Sequence, residues 1–354
     1  MTKMGAFWVE KMKNNKVKIF LIVFLIMISL GIGGVLTLLY GPYHGFRDWL
    51  ITTAMTTKSH QYLATSFYSK DEIEKVLDEN EVIESGESTD TSLIKFKDYD
   101  DSIITYKNKY DKEILTKGNN NYKLININEN GLRGYLVAIY DPSKVKIATA
   151  QNMGVTGEML TSIAKRENAM IGMNASGFID PNYNSNGGLP HGMVIKDGKI
   201  VSNEVKAPVG GGMIGFDKNN TLILNSRMSA KEAIQNGIRD AIEFGPYLIV
   251  NGQASFIRGN GGWGQAPRSA IAQRKDGIVL FLVMDGRDYT GGVLGADMVD
   301  MTEILLRYGA YNAANLDGGT SSGLVINNEL INKPVNGSGK QKTRAIPNAW
   351  IVLK

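Results

Sequence analysis

Apolar and polar positions follow three different rhythms along this chain, and each rhythm predicts a different kind of element. The first has no polar beat. From Ile19 to Tyr40 the sequence reads IFLIVFLIMISLGIGGVLTLLY, without a single charge. At about 1.5 Å rise per residue, a helix of that length crosses the roughly 30 Å hydrocarbon core of a bilayer. Lys11, Lys13, Lys16 and Lys18 precede it, and basic residues favour the cytoplasmic side. The expectation is a basic cytoplasmic tail over 1–18, a single-pass anchor over 19–40, and the remainder outside the cell at the membrane. A cleaved signal peptide has a shorter apolar stretch and a small-x-small site. The following LTLLYGPYHG offers no such site, so a retained anchor is the preferred reading.

The second rhythm is helical and weak. Phe46–Tyr68 has loose apolar spacing, and Ser69-Lys70-Asp71-Glu72 has the form of a capping box ahead of Ile73, Val76 and Leu77, which predicts a helix over 70–80. Residues 81–121 are mostly charged and polar, broken by SLIKF and SIITY. Residues 41–121 therefore read as a stalk and linker with short helices and one or two short strands.

The third rhythm begins near Tyr122, where short apolar runs alternate with Gly, Asn and Asp. GYLVAIYDP, KVKIATA and AMIGMN read as strands, and TGEMLTSIAKREN as a helix. GMVIKDGKIVS is a hairpin turning at Asp197-Gly198, because Asp-Gly suits a two-residue turn. A short helix at SAKEAIQNGI precedes one long strand, AIEFGPYLIVNG. A second hairpin, SAIAQRKDGIVLFLVMDGR, turns near Asp276-Gly277. DMVDMTEILLRYG is an amphipathic helix with Gly309 beyond its end. The strand YNAANLD, a hairpin at Asn327-Asn328 and the strand AIPNAWIVLK close the chain. Hairpins with interspersed helices predict an α+β domain over 122–354 with mixed or antiparallel sheets.

Composition narrows the chemistry. The net charge is only +4 over 354 residues, which gives no electrostatic case for nucleic acid. With no cysteine and only His44, His60 and His191, disulfides and cysteine- or histidine-rich metal centres are excluded. The 40 glycines against 9 prolines fit many tight turns.

Several polar residues stand at the ends of apolar strands. Asn174 ends AMIGMN, Glu243 lies in AIEFGP, and Arg268 opens APRSAIA. Asp285 and Arg287 end IVLFLVMDGR, and Asp317 ends NAANLD. An ion beside buried surface is costly unless paired or used. Paired carboxylates can act as acid and base, or as nucleophile, at a glycosidic bond, and arginine forks recognise phosphate. The backbone of Gly318, Gly319 and Thr320, with the hydroxyls of Ser321 and Ser322, can cradle an anion. Taken singly, each of these residues also has a structural reading as a turn, a cap or an ion pair.

Taken in order, the motifs resemble the phosphodiester glycosidase family, whose bacterial members are often linked to exopolysaccharide biosynthesis. The resemblance runs from about Tyr122 to Lys354. It is carried by GMNASGF, FGPYLIVNG, APRSAIA, VMDGR, TRAIPNA and, most specifically, NLDGGTSS. It implies hydrolysis of a sugar-1-phosphodiester, of N-acetylglucosamine type, at the anomeric C–O bond. Asp317 and Asp285 would then be the catalytic carboxylates, Arg268 and Arg287 the phosphate ligands, and Asn174, His191 and Glu243 further substrate contacts. No cofactor is required, although a divalent cation such as calcium is compatible with oxygen ligands. Three departures stand out: Ala175-Ser176 where the family has glycines, Ser269 for Thr, and Thr320 for Gly. The competing readings are a protein that binds phosphate-containing envelope polymers without cleaving them, a sugar-phosphate transferase, and a metal-dependent phosphatase, the last disfavoured by the few histidines. The sequence leaves the oligomeric state open.

Overall fold

In the strand Val279–Met284, successive side chains enter two different cores: Val279, Phe281 and Val283 one way, Leu280, Leu282 and Met284 the other. Such a strand, buried on both faces, explains why its sequence is apolar without a break. The computed structural model describes residues 3–57, 60–96, 106–116, 121–180, 185–203, 211–335 and 343–354.

Three antiparallel sheets make up the domain. The largest has seven strands in the order Gln253–Ala254, Tyr247–Val250, Ala310–Asn315, Arg268–Arg274, Val279–Met284, Leu132–Ile139 and Tyr122–Glu129. A five-stranded sheet orders Glu329–Leu330, Leu324–Ile326, Ala169–Asn174, Asn348–Leu353 and Val145–Thr149. The other five-stranded sheet orders Lys199–Ser202, Val194–Lys196, Ile238–Phe244, Gly212–Asp217 and Leu222–Asn225. All three share one core, in which Phe281, Met173, Trp350, Phe216 and Ile242 are each fully enclosed. Each sheet's other face is covered by a helix: Met298–Arg307 on the first, Leu160–Arg166 on the second, Ala230–Gln235 on the third. The α+β expectation holds, and the sheet pairings among the described residues are antiparallel.

Local chemistry sets the turns as read. Asp197-Gly198 and Asn327-Asn328 all have positive φ, as a type I′ hairpin turn requires. Gly309, at φ +79°, follows the Met298–Arg307 helix. One expectation fails: AIEFGPYLIVNG is not one strand. It breaks at Gly245-Pro246, because proline has no N–H for the ladder. Ile238–Phe244 then joins one sheet and Tyr247–Val250 another. The hairpin of Gly212–Asp217 with Leu222–Asn225 was not anticipated.

Described stretches before Tyr122 pack on the domain: Trp49 donates to Gln265, and Arg274 pairs with Asp111. One helix runs Lys3–Tyr40, and its Lys16–Tyr40 stretch is long and apolar enough to cross a membrane, exposed along its length except at Leu39. Its end packs on the helices His44–Thr56, Tyr62–Thr65 and Lys70–Glu79, with Leu39, Ile51, Ala54, Tyr68 and Val76 in one small core. Ser69 caps the last of these by accepting from Glu72 N. The expected strand appears at Val82–Ile83, paired with Phe256–Ile257. SLIKF instead begins in a 3-10 turn, Thr91–Leu93, and residues 102–105 of SIITY lie outside the described residues.

Candidate active site

Ends of strands from all three sheets meet at one place. The antiparallel register puts Arg268 beside Met284, and Asn315 beside Ala270. Loops leaving Asn315, Met284 and Asn174 therefore converge. Asn174 ties them together. Its Nδ2 donates to the Asp317 carbonyl at 2.6 Å, while its Oδ1 accepts from Ser269 Oγ at 2.7 Å and Gly323 N at 3.0 Å. Asp317 N in turn donates to the Ala175 carbonyl. With its amide oxygen committed to the protein and only 1% exposed, Asn174 sets the position of the Asp317 loop.

Asp317, Gly318, Gly319 and Thr320 are each half-buried, whereas Ser321 and Ser322 are buried. Asp317 Oδ1 accepts from Gly318 N at 3.0 Å. Gly319 sits at φ +63° and donates its N–H to the Pro267 carbonyl. The NLDGGTSS stretch is thus a tight turn pinned by backbone bonds, and it leaves one carboxylate at an accessible rim.

Two guanidinium groups lie against this turn. Arg268 is 3% exposed and donates to the carbonyls of Trp263, Gly264 and Ala296. It also stacks on the Trp263 ring at 5.5 Å. Burial first, then repulsion from Arg287, pushes its pKa down to about 9. It is still a cation at neutral pH. A Cβ built on Gly318 would stand 3.3 Å from Arg268 Nη1, and one on Gly319 would stand 3.2 Å from Arg287 Nη1. Arg287 has a φ of +59°, unusual for a residue with a side chain. Burial also lowers its pKa, and its guanidinium makes no hydrogen bond or ion pair among the described residues. Two neighbouring cations, one without a protein anion among the described residues, form an electropositive cradle beside Asp317.

Asp285 has a different setting from Asp317. It is 1% exposed, and its carboxylate accepts from Arg133 Nε at 3.1 Å, Asn332 Nδ2 at 3.3 Å and Lys333 N at 2.8 Å. Arg133 also reaches Asp288. A carboxylate so fully occupied anchors the loop that presents Arg287. Arg133 and Asn332 gave no signal in the sequence, since they come from distant segments.

Glu243 packs against Gly192, the residue that follows His191. Glu243 is half-buried and accepts from Met193 N at 3.2 Å; His191 N donates to the Gly177 carbonyl at 2.9 Å. Gly177 is hemmed in by Phe244 and His191, and Phe244 lies 6.4 Å from Trp263. The candidate residues lie in strand ends, as Asn174, Glu243 and Arg268 do, or in the loops that follow strands. The side chains of Ala175 and Ser176 are buried, and Ser176 is bonded to Asn348 through its N–H and its hydroxyl. They are absorbed by the fold rather than set into an open pocket. Among the described residues no three His, Asp or Glu side chains cluster as metal ligands would.

A sequence model described as phosphodiester glycosidase matches residues 167–353, just over half of the chain. The chain belongs to the phosphodiester glycosidase family. A curated relative, an uncharacterised protein derived from the SPbeta prophage of Bacillus subtilis, is 31% identical over 206 residues. That stretch is 56% of this chain but only 31% of the relative. Among solved structures, the zebrafish N-acetylglucosamine-1-phosphodiester α-N-acetylglucosaminidase catalytic domain, auto-inhibited by its pro-peptide, superposes with a TM-score of 0.54 at 22% identity. The match covers 66% of this chain and 82% of that one, a likeness of fold. As a phosphodiester glycosidase family member, the chain carries a glycosidase-type fold, and Asp317, Arg268, Glu243 and Asn174 all lie inside the matched span or at its strand ends.

Proposed function

We propose that this protein is a membrane-anchored hydrolase of a sugar-1-phosphodiester in an envelope glycan or exopolysaccharide, with 122–354 as its catalytic unit. The observation that carries this reading is the Arg268–Arg287 pair beside Asp317. Arg287 is half-buried, strained in φ and without a protein anion among the described residues, which suits a bound phosphate. In the proposed reaction the anomeric C–O bond breaks and its electron pair leaves with the phosphate. Water adds to the anomeric carbon and gives up a proton, leaving a free sugar and a phosphomonoester. The arginines offset charge growing on the departing phosphate. Asp317, half-exposed at the rim, takes the proton-transfer role. Glu243 is the second carboxylate of choice, because Asp285 is held by three donors.

The retained anchor is supported by packing. Leu39 is 8% exposed within the helical cluster, and its carbonyl accepts from the Tyr68 hydroxyl. Removing the apolar helix would open that cluster. The lysines ahead of the helix support a cytoplasmic N-terminus and an extracellular site.

The test incubates the full chain in detergent with N-acetylglucosamine-1-phosphodiesters and purified envelope glycans, following free reducing sugar. Release by the native protein and not by Asp317→Asn supports hydrolysis. Product carried onto an added acceptor hydroxyl indicates transfer, and binding without turnover indicates a lectin-like role.

A further inference from the structure

A cleft of about 440 Å³ lies between the segment that precedes the family domain and the domain itself. Its walls are Leu77, Asn80 and Val82 on one side, Pro246 and Trp263 on the other, with Glu81 and Glu84 among them. That volume is in the range of small-ligand sites. It adjoins Arg268 through Trp263, whose carbonyl receives the Arg268 guanidinium and whose ring stacks on it. It also adjoins the Asp317 loop, because the Pro246 carbonyl accepts from Asn315 N.

Both walls are fixed in place. Asn80 Oδ1 accepts from Asn260 N, and its Nδ2 donates to the Val76 carbonyl. Arg258 N donates to the Glu81 carbonyl, and the Arg258 side chain pairs with Glu81. A Cβ on Gly262 would come within 2.2 Å of the Asn80 carbonyl oxygen, and one on Gly261 within 3.0 Å of Val82. Glycine is therefore required where the loop meets the stalk. Glu84 accepts from Tyr247 N at 2.9 Å, and burial raises its pKa.

The lining combines an indole, three aliphatic or proline surfaces and acidic groups, and its basic neighbour Arg258 is already paired with Glu81. An aromatic face with hydrogen-bonding carboxyls suits a neutral, hydroxyl-rich ring. It repels a second anion. We infer that this cleft is a subsite for a neutral sugar or polyol carried on the alcohol side of the phosphate, completed by residues 77–84 from outside the family domain. The assignment to the alcohol side rests on the proposed phosphate role of the arginines.

The test measures binding to the full chain in detergent by calorimetry, with three probes: inorganic phosphate, a hexose 6-phosphate and UDP. The hexose phosphate should bind about tenfold more tightly than phosphate, equivalent to about 1.4 kcal/mol, and more tightly than UDP. Trp263→Ala should remove the hexose advantage. Val82→Phe, which fills the cleft without touching the arginines, should do the same while phosphate affinity is kept. Equal affinity for phosphate and hexose phosphate in the native protein, or preference for UDP, overturns the subsite. If none of the three binds, the phosphate role of the arginines fails and takes the subsite with it. If phosphate alone binds, only the subsite fails.

Discussion

The guanidinium of Arg287 rests against the backbone of Gly319, so closely that a Cβ at Gly319 would stand 3.2 Å from Nη1 and 3.3 Å from Nη2. Gly319 is at φ +63° as well. Gly319→Ala should therefore act twice. It should cost about 1–2 kcal/mol of stability through the left-handed backbone, read by chemical denaturation. It should also push Arg287 aside and weaken phosphate binding at least tenfold, read by calorimetry.

As the proposed phosphate ligand, Arg287 would trade stability for that role. Its φ of +59° and its half-buried charge, unpaired among the described residues, both oppose folding. Arg287→Gly should raise the unfolding free energy by about 1 kcal/mol and abolish turnover. A variant that loses activity and also loses stability would show that Arg287 holds the fold together instead.

Asp317 and Asp285 should separate cleanly on substitution. Asp317→Asn keeps the bond from Gly318 N and should leave stability near native while sugar release vanishes. Asp285→Ala removes the acceptor of Lys333 N and one of the two acceptors of Arg133 and of Asn332, and should cost about 2–4 kcal/mol. Thermal denaturation of both variants beside their rates decides the matter. An Asp285→Asn variant that is fully stable yet inactive would return Asp285 to the chemistry.

The pH dependence follows from Arg268. Its ordinary pKa of 12.5 is depressed to about 9 in the folded protein. A phosphate binds the protonated form, so affinity should be flat below that value and fall as pH rises through it, by up to tenfold per pH unit. The sign for stability is opposite. The cost of burying the cation is present below pH 9 and is relieved between 9 and 12.5. Phosphate affinity measured from pH 7 to pH 10.5 tests the first statement, and no decline across that range would refute it.

The anchor makes its own prediction. The mature protein in membranes should keep its first 40 residues, as intact mass will show. A chain beginning near Tyr43 would be a secreted product and would also lack Leu39. Trimming the chain to Gly41 should lower the melting temperature of the helical cluster, because Leu39 is buried against Ile51 and Tyr68.

Much of this fold is legible residue by residue. The hairpin turns follow from Asp-Gly and Asn-Asn pairs, and the central strand from the unbroken VLFLVM. The site is legible only as a set of strand ends. Asp285 and Asp317 look alike in sequence: each follows an apolar strand and precedes a glycine. Only the fold separates them, by bringing Arg133 from 152 positions away onto Asp285 while leaving Asp317 at a rim. Trp263, Glu84 and Asn80 gave no local signal either, since their roles are defined by partners in other segments. The division at residue 121 hid that the preceding stretch helps line a cleft beside the site.

The docked helices also have a mechanical meaning. Trp49 donates to Gln265, and Thr53 lies against Gly264, whose carbonyl holds Arg268. From Tyr40 to that contact the chain path is roughly 35 Å at most, counting four extended steps and a helix. With the apolar helix in a bilayer, the arginine pair rides on a strut rather than a tether. On the proposed anchoring and chemistry, its working height is set by that strut, and the substrate within its reach is a glycan phosphodiester presented within that short distance of the lipid surface.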